Sequence, residues 1–137
     1  MGTYLSIAAI QPPFDIGTDA ASRQLFSCNF LVRSAGDPSF LLEDMVSILA
    51  DAGLGIFGLT LFIGGMGLTF PAGDGPFVNL LRTGGAATSI THDALRYPIY
   101  TFQLITRGAS YPETDARARA CHLALDGQYN LSVPSAD

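Results

Sequence analysis

Four places in this 137-residue chain hold residue types that chemistry needs. His92 and Asp93 adjoin in a polar stretch, so an imidazole beside a carboxylate suggests general-base work. Sequence neighbours seldom form a base and its orienting group, and no nucleophile is implied nearby. A hydrogen-bond cluster or contact site in a loop is the better reading of that pair. Cys121 and His122 also adjoin, in a stretch patterned as helix. Adjacent helical positions point about 100° apart. The expectation is therefore one core thiol and one rim imidazole, not a thiolate pair.

The glycine runs Gly64-Gly65-Met66-Gly67 and Gly84-Gly85 fit neither a phosphate-cradling loop nor a dinucleotide fingerprint. Cys28 and Cys121 are far apart and have no C-x-x-C partner, so two buried free thiols are expected. No H-x-x-x-H and no clustered carboxylates announce a metal. The sequence predicts no catalytic residue, no cofactor and no metal site: the chain does not read as an enzyme.

Composition points the same way. The chain fits one domain. Hydrophobic residues make up 48% and charged residues only 14%, which predicts surface hidden against partners. Twelve acidic against seven basic residues give a net charge of -5, and every basic residue is Arg. Such a balance has no electrostatic footprint for gripping phosphates; nucleic acid nearby would slide past. Met1-Gly2-Thr3-Tyr4-Leu5-Ser6 matches a myristoylation pattern that short segments meet by chance, and no basic region of a signal peptide is expected. Ala52–Gly73 carries no charge and has the length of a membrane span, but Gly53, Gly55, Gly58, Gly64, Gly65 and Gly67 interrupt it.

The elements that position these residues follow from periodicity. Residues 4–10 and 25–33 alternate as strands, with Phe26, Cys28, Phe30 and Val32 on one face. Gln11–Gln24 holds Pro-Pro and turn residues and reads as a long hairpin loop. Asp37-Pro38 predicts a helix start. Leu41, Leu42, Met45, Val46 and Leu49 form its apolar stripe, Glu43, Asp44, Ser47 and Asp51 its wetter side, and Gly53 its stop. Strands follow at Phe57–Ile63, Phe77–Arg82 and Pro98–Arg107, with a loop through Pro71–Pro76. Gly84–Arg96 reads as a polar loop, of a length that is usually functional. Ser110 and Glu113 form a capping box for a helix that runs to about Leu125, packs Ala116, Ala120, Leu123 and Ala124, turns Arg117 and Arg119 outward, and ends at Asp126-Gly127. The order β-β-α-β-β-β-α predicts an α+β single domain, an antiparallel-rich sheet of four to five strands packed against two helices. Residues 1–34 form a strand pair with a long loop, 37–127 a helix-strands-helix core, and 128–137 a tail.

Several pieces in order carry a resemblance: the helix P-S-F-L-L-E-D-M-V-S-I-L-A-D-A-G-L-G, the strand ending at Gly64, Arg82-Thr83-Gly84-Gly85, Thr91-His92-Asp93, Arg96-Tyr97-Pro98, and the helix into Leu125-Asp126-Gly127. Together they resemble the tail terminator proteins of long-tailed bacteriophages, also described as tail-completion or minor capsid proteins. In that family a strand pair normally follows the second helix. Here that place holds only Gln128–Asp137, while Ile10-Gln11-Pro12-Pro13-Phe14-Asp15 and Phe26-Ser27-Cys28-Asn29-Phe30 are similar to the family's C-terminal end. The chain thus reads as a circular rearrangement, which costs little where termini lie close at a surface. Strands 4–10 and 25–33 are then expected to complete the sheet of 57–63, 77–82 and 98–107.

The resemblance implies a virion protein of the phage tail and neck, present in the host cytoplasm during assembly. It implies a homo-oligomeric ring, expected as a hexamer, that caps the tail tube, stops its polymerisation and meets the head connector or stopper. DNA passes through the lumen without specific binding, and no membrane is involved. Arg82, Thr91, His92, Asp93 and Arg96 are the first candidates for protein contacts, followed by Asp15, Asp19 and Arg23. A stopper or tube subunit is the structural alternative. A small membrane protein using residues 52–73 is the alternative of another class.

Overall fold

The computed structural model describes residues 3–35, 40–64, 70–71, 73, 75–90 and 96–133, with 84–90, 96–97 and 130 described as backbone. Among these residues the chain runs β1 (Thr3–Ala9), β2 (Phe14–Thr18), β3 (Gln24–Ser34), α1 (Leu41–Asp51), β4 (Leu61–Ile63), β5 (Phe77–Ile90), β6 (Arg96–Gly108), α2 (Tyr111–Leu125) and β7 (Gln128–Ser132). The α+β class is as the pattern predicts, with a larger sheet. Seven strands join in the order β4-β5-β6-β3-β1-β7, and β2 pairs with β3. Every pairing is antiparallel except β4 with β5.

The N-terminal strands belong to this sheet, as expected. β3 lies along β6 from Gln24↔Gly108 to Arg33↔Ile99, and β1 and β2 both pair with its other edge. Alternation decides the faces. Cys28, Phe30 and Val32 of β3, Phe102 and Leu104 of β6, and Val78 and Leu80 of β5 point to the helices and are buried with Met45, Leu49, Cys121 and Leu125. Full burial of a side chain of this size contributes about 1.5–3 kcal/mol. Phe30 and Phe102 stack with centroids 5.0 Å apart, adding about 0.5–1.5 kcal/mol beyond the buried area.

Two predicted loops contain strand. Gln11–Gln24 contains β2, so β1 and β2 form one interrupted strand antiparallel to β3. Ala9 pairs with Phe30 and Phe14 with Ser27, so five steps on one strand meet three on the other. Pro12 and Pro13 lie in that slip, where residues without an N–H do least harm to a ladder. The turn shrinks to Asp19–Arg23. Gly84–Ile90 likewise becomes the outer part of β5, paired with β6 out to Ile90↔Arg96; residues 91–95 lie outside the described residues. Small residues permit this pairing, with register shifts between Arg82 and Gly84 and between Ala86 and Ser89.

Other boundaries move less. β4 is shorter than Phe57–Ile63, and Phe57 makes only an isolated bridge to Leu61. β7 adds a strand in the predicted tail, paired with β1. The helix predicted to begin at Asp37-Pro38 starts at Leu41 with Phe40 as an N-cap that supplies no side-chain bond; Asp37 and Pro38 lie outside the described residues. Its end is as predicted. Gly53 has φ +77°, the Gly53 N–H donates to Ala50 O and the Leu54 N–H to Leu49 O, the doubled closure of a Schellman stop.

The buried face of α2 is Thr114, Ala118, Cys121 and Leu125; of the predicted Ala116, Ala120, Leu123 and Ala124, Ala124 packs against the core, while Ala116 and Leu123 are exposed. Leu123 is 76% exposed. An alanine-rich helix carries little apolar contrast, so its face is set by what packs on it. The Ser110 hydroxyl accepts from the Glu113 N–H at 3.4 Å, the predicted cap, and the Thr114 hydroxyl donates to Ser110 O at 2.6 Å. Asp44, placed on the wet side of α1, is fully buried and accepts a hydrogen bond from the Tyr4 hydroxyl. No helix among the described residues is long and apolar enough to cross a membrane.

Candidate functional site

The turn between β2 and β3 is built around Asp19. Its Oδ1 accepts from the Ala21 and Arg23 N–H groups, each at 2.9 Å, and Oδ2 accepts from Arg23 Nε at 2.9 Å. The Arg23 amide chiefly, then that of Ala21 and the Arg23 guanidinium, hold the Asp19 carboxyl below the usual carboxylate range. Arg23 Nη1 also donates to Gly73 O at 2.6 Å. Arg107, buried on β6, meets the same segment: Nη2 donates to Pro71 O at 2.7 Å and to Gly73 O at 2.8 Å. Its guanidinium lies 4.7 Å from the Phe70 ring centroid and 5.2 Å from that of Phe77. Asp19 and Arg23 therefore brace the backbone at Gly73, ahead of β5, and Arg107 is the third member that the sequence pattern does not single out.

Asp15 sits on β2, where Oδ1 accepts from the Gly17 N–H at 2.7 Å and from Gln24 Nε2 at 2.5 Å. Arg82 is exposed on β5 with its guanidinium 4.7 Å from the Tyr100 ring centroid. Arg96 opens β6. Thr91, His92 and Asp93 fall between Ile90 and Arg96, outside the described residues. The structure thus brings Asp19 and Arg23 together and puts Asp15 on the adjoining strand. Arg82 and Arg96 lie on the β5–β6 hairpin, away from that turn.

The thiols are chemically quiet. Cys28 and Cys121 are both free and buried. Burial, chiefly, pushes each from 9.0 up to about 12. A thiol protonated at neutral pH is a poor nucleophile. His122 stands at the rim with Nε2 3.9 Å from the Asp126 carboxylate, one position round the helix from the core thiol, as the spacing predicted. Among the described residues no group of His, Cys, Asp and Glu could hold a metal ion.

Apolar surface at the two sheet edges escaped the sequence reading. Between the end of α1, α2 and the start of β5 runs a groove of about 610 Å³ lined by Leu54, Ile56, Pro76, Phe77 and Arg117 among others. Arg117, predicted to point outward, lines it and donates from Nη1 to Leu54 O at 2.8 Å. Ile56, Phe57 and Leu59 stand 61%, 58% and 63% exposed beside it. At the opposite edge every residue of β2 is exposed, Phe14 and Ile16 included. The signal was present in the sequence: both segments hold large apolar residues among glycines and turn residues, where no core periodicity asks for them. No protein-family model, curated protein or solved structure matches this chain.

Proposed function

We propose that the chain is a structural subunit of a phage virion: a ring-forming tail terminator that caps the tail tube, stops its polymerisation and joins it to the head connector. The observation that carries this reading is the place of the N-terminal strands. The resemblance puts a strand pair after the second helix; in this chain β1 pairs with β7, which directly follows α2, and β3 joins β1 to β6. Sheet positions beside β7 and β6 are what a rearranged order would need, and they support the reading.

Three further features support the reading. Cys28 and Cys121 have the environment of core groups and His122 that of a rim group. The excess of acid over base suits a channel that lets DNA pass. The β5–β6 hairpin continues beyond the last β3 pairing at Ile99 to Ile90↔Arg96, which extends it by about 10 Å. That end, carrying Arg96 and flanking Thr91, His92 and Asp93, is the part proposed to meet the tube or the connector. The test is a tube-assembly assay: added protein should halt growth of tail tubes in vitro, and a variant in which residues 86–99, the outer hairpin, are replaced by a short turn should form rings that no longer halt it. Tubes that grow unhindered past saturating wild-type protein would refute the reading.

A further inference from the structure

We propose that the apolar groove beside Arg117 receives the exposed edge strand β2 of a second copy of this chain, and that this is the contact which closes the ring. The inference rests on the ring-forming reading above and names the surfaces through which it would operate.

The sheet register supplies the first argument. Phe77, which lines the groove, pairs with Arg107; Arg107 pairs with Leu25; and Leu25 pairs with Gly17 of β2. Groove and β2 therefore fall on one row of the sheet, the groove at the start of β5 beside the edge strand β4 and β2 on the far side of β3. A rotation about an axis roughly parallel to the strands brings one copy's β2 to the next copy's groove with no displacement along that axis. Head-to-tail contacts that rotate without such displacement close into rings, whereas those with it run on as helical filaments.

Complementarity supplies the second. The groove is apolar with one cation, and the exposed strand β2 carries one anion, Asp15, next to the exposed Ile16. Asp15 pairs with Phe26, whose side chain packs on Tyr111 of α2, so Asp15 belongs to the helix-covered side of the sheet, the side of Arg117. Both assigned bonds to Asp15 fall on Oδ1, and a carboxylate has about four acceptor sites, so it has capacity for a guanidinium. In a chain of net charge -5, an acid on one copy that meets a base on the next offsets part of the repulsion between copies. A third argument is the edge itself. Pro12, Pro13, Asp15 and the register shift between Asp15 and Gly17 are devices that blunt strand-on-strand pairing, so β2 presents side chains to a groove and not backbone to another strand.

Two variants test this. Phe14→Asp with Ile16→Asp spoils the edge strand, and Ile56→Asp with Leu59→Asp spoils the groove mouth; all four side chains are exposed, and circular dichroism with a thermal melt checks that each variant keeps its fold. Native mass spectrometry then reads assembly. Wild type is expected as a closed oligomer and each variant alone as a monomer. Their equimolar mixture should yield a one-to-one dimer and nothing larger, because the pair retains a single intact groove and a single intact edge. An edge variant that assembles like wild type, or a mixture that stays monomeric while wild type forms rings, overturns the contact and leaves the ring reading standing. A wild type that never self-associates overturns both.

Discussion

Arg23 and Arg107 converge on one carbonyl oxygen, that of Gly73, at 2.6 and 2.8 Å. One arginine follows the β2–β3 turn and the other sits near the end of β6, so the shared acceptor ties the N-terminal strands to the loop before β5. Arg107 is the buried partner, and its fork spans two carbonyls that a shorter or neutral side chain would leave to find other donors. Arg107→Met should lower stability by about 2–3 kcal/mol, read as a drop in the urea midpoint at unchanged slope. Arg107→Lys should recover only part, since a point charge does not reproduce the fork. A midpoint equal to wild type in Arg107→Met would show that the convergence is not energetically used.

Tyr4 and Asp44 make the second prediction. Both are fully buried, and the phenol is the donor to the carboxylate. Tyr4→Phe keeps the ring and removes the donor, so it should cost about 1–3 kcal/mol. Replacing both partners with apolar residues, Tyr4→Phe with Asp44→Leu, should cost less than the sum of the single changes. Strict additivity would contradict the pairing.

Alkaline pH makes the third. Cys28 and Cys121 ionise near 9.0 in an unfolded chain and are pushed up to about 12 by burial in the folded one. The folded state therefore holds its thiol protons where the unfolded state has released them. That contribution is fully present below pH 9 and is lost as pH rises toward 12, at up to about 1.4 kcal/mol per pH unit for each thiol. Urea unfolding at pH 8 and pH 10 should show the loss, and Cys28→Ala with Cys121→Ala should flatten it. An unchanged slope in the double variant would assign the loss elsewhere.

Helix ends make the fourth. Gly53→Ala should cost about 1–2 kcal/mol, because φ is +77° there while the space around a Cβ is open: the penalty is conformational and not steric crowding. Ser110→Ala should cost about 0.5–1 kcal/mol for the lost cap of α2. Thermal melts of the two variants order them, and a neutral Gly53→Ala would contradict the left-handed stop.

Which parts of the fold could be read in advance follows from where the determining forces lie. Gly53 and Ser110 mark helix boundaries through local backbone chemistry, and both stand where the spacing placed them. The alternation of Phe26, Cys28, Phe30 and Val32 is a local record of a buried face, and those four side chains are buried. β2 was hidden because Pro12, Pro13 and Gly17 read as turn residues, while its pairing with β3 is a tertiary fact. The outer hairpin was hidden for the same reason: Gly84-Gly85 permits a strand only when β6 lies alongside. Asp44 looked solvated because a carboxylate usually is, and only the fold brings Tyr4 to it. Of the candidate contact residues, Asp19 and Arg23 became internal bracing. Arg117, passed over as an outward charge, lines the groove, since a helix face with little apolar contrast cannot be oriented from sequence.

The central claim is that the chain is a ring-forming assembly subunit, and imaging the purified 137-residue chain tests it most directly. Negative-stain electron microscopy should show closed rings one subunit thick, with a mass several times the 14.5 kDa of the chain. A uniform population of 14.5 kDa monomers that persists across the accessible concentration range would contradict the account.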